Sequence, residues 1–171
     1  MKIVILNGSP RPGGNTEIMC NAFAEAAGRK HQVVRVDVGR MKIAGCMACM
    51  YCRTHDHECV QKDDMVKVWE ALEGADMVVF ASPIYWFDVT AQLKCTIVRL
   101  YAGGFSWNKT AMLLDSGADN VYDAAKAMYK GMTSYLKWED MGVICAPNMK
   151  DKGSMKDSPA LAEVVKLAES L

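Results

Sequence analysis

Short apolar segments alternate with amphipathic helical ones along this chain, and that alternation most limits what it can fold into. Residues 2–6 read as a short strand, with Ile3-Val4-Ile5-Leu6 continuously apolar, closed by Asn7-Gly8-Ser9-Pro10. Strands of a parallel sheet carry such runs because helices cover both faces. Residues 16–28 then place Ile18, Met19, Ala22, Phe23 and Ala26 on one helical face, with Gly28 as the stop. The pair of patterns repeats. Strands are expected at 32–38, 76–81, 110–114 and 141–145. Helices are expected at 64–72, at 121–136, and from an Asp88 cap through Val89, Leu93, Ile97 and Leu100. The last helix has Ser158 as cap and Pro159 in its first turn, then Leu161, Val164, Val165, Ala168 and Leu171 on one side.

Alternation of this kind specifies an α/β fold: a parallel, doubly wound sheet between two helical layers. Five strands fit the flavodoxin-like three-layer sandwich, with strand order 2-1-3-4-5. At 171 residues, a single domain covering 1–171 is expected. A hydrophobic fraction of 51% excludes wholesale disorder. Twenty basic and 20 acidic side chains leave no net charge, which argues against a nucleic-acid partner. No apolar run approaches the roughly 20 residues a membrane span needs, and residues 1–6 are too short for a signal-peptide core. A soluble, cytoplasmic protein with no membrane partner is expected. The stretch 39–62 lacks any periodic pattern and holds four of the seven cysteines, so it reads as a functional insertion.

In an open parallel sheet, ligands bind beyond the carboxyl ends of the strands where the strand order reverses. Here that point lies between the first and third strands, so the loops 8–15 and 82–88 meet there. The first runs Gly8-Ser9-Pro10-Arg11-Pro12-Gly13-Gly14-Asn15 into a helix. Glycines allow close backbone approach, and a helix start offers unpaired N–H groups with positive dipole character. Phosphate is the natural guest, although a Gly/Pro turn with a good cap would look the same. The loop lacks the Gly-Lys-Ser/Thr of a Walker loop and does not spell G-x-G-x-x-G. The second loop carries Tyr85, Trp86 and Phe87, which either meet a flat heteroaromatic ring or pack beneath the next helix. A third rim segment, 115–119, is small and polar enough to approach the same ligand.

Gly-Ser-Pro-Arg at 8–11 is followed by Gly-Asn-Thr at 14–16, by Cys46, Cys49, Cys52 and Cys59 ahead of Asp63-Asp64-Met65, and by Ser-Pro-Ile-Tyr-Trp at 82–86 with Leu93-Lys94. In that order, over 1–114, these motifs resemble the NADPH-dependent FMN reductase family of flavodoxin-like proteins. The resemblance implies FMN, with Ser9, Arg11, Gly14, Asn15 and Thr16 around its phosphate. It implies Pro83, Ile84, Tyr85 and Trp86 along the isoalloxazine, with Ser82, Ser116 and Gly117 completing the cofactor set. One position departs from the family, which usually has an acidic residue before the arginine that follows the Leu-Lys helix. Here Val98 precedes Arg99.

The cysteine spacing resembles that of iron–sulfur flavoproteins, a subgroup of the same superfamily, which implies a 4Fe–4S cluster on Cys46, Cys49, Cys52 and Cys59 beside the flavin. Four thiolates match the number such a cluster needs. Two other occupants suit the loop. Zinc would accept these thiols together with His55 or His57, though it has no task beside a flavin; a redox-active thiol set needs no metal. Cys20, Cys95 and Cys145 fall on helix or strand positions and are expected to pack as small apolar groups.

No Ser–His–acid or paired-carboxylate arrangement emerges, so no catalytic side chain is assigned and the chemistry is expected on FMN. The expected activity is an NAD(P)H oxidoreductase reducing flavin, quinone or a similar acceptor. The alternative is an electron-transfer module carrying FMN and a 4Fe–4S cluster for a redox-protein partner. A non-enzymatic sensor using the cysteines is a third class, which a colourless protein unable to take up FMN would favour. Relatives of this kind form homodimers or homotetramers, and the same is expected here.

Overall fold

The computed structural model describes residues 1–104 and 106–171. Its elements are β1 (Lys2–Asn7), α1 (Asn15–Ala27), β2 (Gln32–Val36), α2 (Tyr51–Thr54), α3 (Met65–Leu72), β3 (Met77–Tyr85), β4 (Asp88–Val89), α4 (Ala91–Gly103), β5 (Lys109–Asp115), α5 (Asp123–Leu136), β6 (Glu139–Ala146) and α6 (Pro159–Glu169). Five strands pair in parallel in the order β2-β1-β3-β5-β6, and β4 pairs antiparallel with the end of β3. The expected flavodoxin-like order is therefore present, with one short strand added.

Alternate side chains of the strands build the two halves of the core. Val4, Leu6, Val78, Phe80, Met112 and Leu114 face α3, α4 and α5, where Met65, Val68, Leu93, Leu100 and Tyr129 meet them. Ile3, Ile5, Met77, Val79, Ala111 and Leu113 face α1 and α6, meeting Met19, Phe23, Val164 and Ala168. Burial on both faces explains the unbroken apolar runs. Among the described residues, no helix is long and apolar enough to cross a membrane.

Two local expectations need correction. The third strand does not end at 81 but continues to Tyr85, and Asp88 is not a helix cap. Tyr85 pairs with Asp88, leaving Trp86 and Phe87 as a two-residue hairpin turn with φ of 49° and 69°. Such turns favour Asn-Gly because both central residues take positive φ. Two aromatics there gave no turn signal. Thr90 is the true cap of α4: its hydroxyl accepts from Leu93 N at 3.3 Å and donates to Gly8 O at 2.8 Å. The second strand ends at Val36, a 3-10 turn over Val38–Arg40 leads into the aperiodic insertion, and the insertion holds the single-turn helix α2.

Candidate functional site

The ends of β1, β3 and β5 and the segment after β6 enclose a cavity of about 220 Å³ at the switch point. Helix α1 begins on its wall. Gly14 takes an extended N-cap conformation and supplies no side-chain cap, so the first-turn N–H groups that a helix leaves without internal acceptors face the cavity uncapped. Gly13 sits at φ 63°, where a side chain would be strained. The loop is braced from behind. Ser9 N donates to Asn7 Oδ1 at 3.1 Å, Arg11 N donates to Ser9 Oγ at 3.3 Å, and Asn7 Nδ2 donates to Asp37 Oδ1 at 2.9 Å. Asp37 is in turn bound by Arg35 and Arg40. Arg11, Lys150 and Lys152 supply the cationic part of the lining.

Asn15 lines this cavity, yet its amide is spent on another task. Its Nδ2 donates to Met149 O at 3.1 Å and Asp151 O at 2.9 Å, and its Oδ1 accepts from Gly153 N at 2.9 Å. The amide thus draws the segment after β6 across the helix start and brings Lys150 and Lys152 to the cavity. Nothing local in the sequence marks those lysines, since a contact more than 130 residues away delivers them. Asn15→Ala is expected to lower unfolding stability by about 2 kcal/mol, because several part-buried partners lose their bonds together. Urea unfolding checks the stability, and faster tryptic cleavage at Lys150 and Lys152 checks the release.

Asp115, at the end of β5, opens the third rim segment, but the sequence assigns it no role. It is buried on the cavity wall, and Thr16 Oγ1 donates to its Oδ1. Burial pushes its pKa up to about 6, against the opposing pull of the Thr16 bond and the Arg11 charge. Ser116 and Gly117 follow on the rim, with Ser116 Oγ occupied by Ala118 O and Tyr122 Oη.

Pro83, Ile84 and Tyr85 form the apolar side of the cavity. Ser82 lies outside the lining: its hydroxyl donates to Pro83 O at 2.7 Å and accepts from Thr90 N at 3.0 Å, fixing the hairpin base. Trp86 also stands apart from the lining, 93% exposed at the hairpin tip.

Cys46, Cys49, Cys52 and Cys59 line a second cavity of about 300 Å³. Its floor is Arg99, only 2% exposed. The guanidinium donates to Asp63 Oδ2 at 2.5 Å, Ala44 O at 3.3 Å, Cys59 Sγ at 3.3 Å and Gln61 O at 3.4 Å, and lies 5.6 Å from the centre of the Trp69 ring. Burial works against its charge, but the bonds to Asp63 and Cys59 outweigh that and hold its pKa above the ordinary value. Val98, at the position where an acid is usual, is half-exposed beside this cavity. All seven cysteines are free thiols. Among the described residues, no three His, Cys, Asp or Glu side chains converge as metal ligands. His55 stacks on Tyr51 with ring centres 3.7 Å apart, and His57 meets the Tyr101 ring edge-on.

A parallel five-stranded sheet with an anion cradle and an apolar wall at its switch point defines a flavodoxin-like protein. The model of the NADPH-dependent FMN reductase family matches residues 1–149, and the chain belongs to that family. It is similar to an iron-sulfur flavoprotein from Archaeoglobus fulgidus, 39% identical over 105 residues, which cover 61% of this chain and 47% of the relative. A second iron-sulfur flavoprotein from that organism is 31% identical over 139 residues, covering 78% of this chain and 71% of the relative. The chain thus spans about half the length of the first of these relatives and more of the second. Among solved structures, the NAD(P)H:quinone oxidoreductase from Methanothermobacter marburgensis shares the fold. Its TM-score is 0.76 at 18% identity, with 99% of this chain and 95% of that one covered.

The residues present fit an FMN. The uncapped start of α1 with Arg11, Lys150 and Lys152 suits a phosphate, and the Pro83–Tyr85 wall suits an apolar ring.

Proposed function

We propose that this protein is an FMN-dependent oxidoreductase that takes hydride from NAD(P)H and reduces a flavin, a quinone or a similar small acceptor. The observation that carries this reading is the meeting of an anion cradle and an apolar wall in one cavity at the switch point. Bound FMN supplies the redox chemistry, accepting hydride and releasing electrons singly or in pairs. The chain's own residues bind and orient. The α1 N–H groups, Arg11 and the two lysines hold the phosphate, while Asn15 keeps the lysine segment in place. Pro83, Ile84 and Tyr85 would give the flavin ring an apolar wall. No side chain is required as acid or base. Seven free thiols suit the reducing cytoplasm, and assembly as a homodimer or homotetramer agrees with the exposed aromatic hairpin tip.

A second reading is favoured by the cysteine cavity. Four thiols around one pocket offer the donor number that a 4Fe–4S cluster needs. Cys46, Cys49, Cys52 and Cys59 would hold it, and the acceptor would then be a redox protein. Protein purified without oxygen separates the two readings. Flavin absorption bands without iron, with NAD(P)H-driven reduction of a quinone, are expected for the first. Roughly four irons and four sulfides per chain, with weak NAD(P)H turnover, are expected for the second. Colourless protein that cannot be reconstituted with FMN would sink both.

A further inference from the structure

We propose that anion binding at the switch-point cavity is proton-linked through Asp115: the site takes a phosphate monoester together with one solvent proton carried on this carboxyl. The proposal rests on the reading of the cavity as a phosphate site and adds a residue that works against the expected charge pattern. An acid is an unusual wall for an anion pocket. Asp115 is 5% exposed, its Oδ1 is held by Thr16, and among the described residues no cation forms an ion pair with it. Buried carboxylates are normally paired or neutralised.

The groups that face it come from several elements. Thr16 and the Cys20 thiol lie on α1, and burial keeps that thiol protonated. Arg11 lies on the loop after β1, Ser116 on its own loop, and Tyr122 ahead of α5. Lys150 and Lys152 approach across the cavity from the segment after β6. With the cavity open to water, the Arg11 charge favours an ionised Asp115, and Lys150 and Lys152 share the same lining. A phosphate dianion drawn to the start of α1 competes for those same cations and adds like charge beside the carboxyl. Taking up a proton removes the repulsion and turns the carboxyl from an acceptor into a donor, so that its O–H can bond a phosphate oxygen. The burial that raises the carboxyl to about 6 in the free protein brings this uptake within reach near neutral pH.

Calorimetric titration of the full chain with FMN tests this, run at pH 7.5 in two buffers of different ionisation heat and then from pH 7 to 8.5. That range lies above the phosphate's own second ionisation, near about 6, so the phosphate stays dianionic throughout. Uptake of most of one proton per FMN is expected, with binding about five- to tenfold weaker at pH 8.5 than at pH 7. Riboflavin, which lacks the phosphate, is expected to show neither effect. Asp115→Asn keeps the shape of the side chain and is expected to bind FMN with no proton uptake and no pH dependence over this window. Asp115→Ser serves the same purpose should the amide variant not fold.

Equal pH dependence in wild type and variant, or none in wild type, would overturn the proposal. Proton uptake with inorganic phosphate that disappears in Asp115→Asn, with no binding of FMN, would support the role of Asp115 while overturning the flavin reading. Binding of neither anion would overturn both.

Discussion

Arg99→Ala is expected to lower the unfolding free energy by about 3 kcal/mol and to loosen the whole cysteine segment. The guanidinium ties residues 44–63 to α4 through several bonds at once. It bonds Ala44 O and Gln61 O at the two ends of the segment, Cys59 Sγ near its end, and the Asp63 carboxylate. Removing one partner of a buried ion pair costs about 3–5 kcal/mol, because the other charge stays behind uncompensated. The lower end applies here, since Asp63 keeps 19% of its side chain exposed and still accepts from Ala44 N. Arg99→Lys preserves the charge but not the planar fork, and only part of the loss should return.

Urea unfolding measures the stability change, and the rate of thiol modification measures the loosening. In the variant Cys59 should react faster, having lost both its cover and its hydrogen-bond donor. An unchanged midpoint with unchanged thiol rates would reduce Arg99 to a space-filling side chain. The half-exposed Val98 sharpens the point. Where an acid is usual before this arginine, the arginine here finds its carboxylate at Asp63, on the far side of the cysteine segment.

The central strands were legible in the sequence because burial on both faces writes itself into the chain as unbroken apolar runs, while the edge strand β2, with Gln32 and Arg35 among its valines, showed only through its β-branched residues. The Ser158 cap and Pro159 were equally plain, since both act on backbone groups within two residues. The hairpin at Trp86 and Phe87 was not, because its turn uses side chains that local propensity disfavours at positive φ. Around the switch-point cavity, the helix start, Ser9, Arg11, Thr16 and the Pro83–Tyr85 wall could be placed from the sequence, for they sit on the loops that meet there. Asp115 could be placed on the rim segment 115–119 but not given a role, because an acid carries no phosphate signal. Lys150 and Lys152 escaped notice because only the distant Asn15 amide brings them in. Asn15 was recognised as a site residue for the wrong bond: its side chain holds protein.

Gly39→Ala is expected to cost about 2–4 kcal/mol and to weaken FMN binding at least tenfold, although it adds a single methyl group outside the cavity lining. A Cβ at Gly39 would stand 2.4 Å from Ser9 C and O and 2.5 Å from Gly8 O. Those are backbone atoms and cannot swing aside as a flexible side chain would. On its other side the same loop is pinned, since a Cβ at Gly8 would meet Leu93 Cβ at 2.6 Å and Thr90 Oγ1 at 2.9 Å. The residues that begin the anion cradle therefore lie between the turn after β2 and the start of α4 with no slack. Overpacking of this kind usually costs about 1–3 kcal/mol and occasionally more. Any relief must move Ser9, whose hydroxyl holds Arg11 N, so the cradle shifts with it.

Gly131→Ala supplies the contrast. It lies inside α5 with nothing within 4 Å of its added Cβ, so alanine there should stabilise by about 0.5–1 kcal/mol and leave FMN affinity untouched. Thermal unfolding and FMN fluorescence quenching on both variants decide the matter. If Gly39→Ala keeps wild-type affinity despite a lower midpoint, Ser9 is not part of the phosphate cradle, and the α1 helix start and its cations must hold the anion alone.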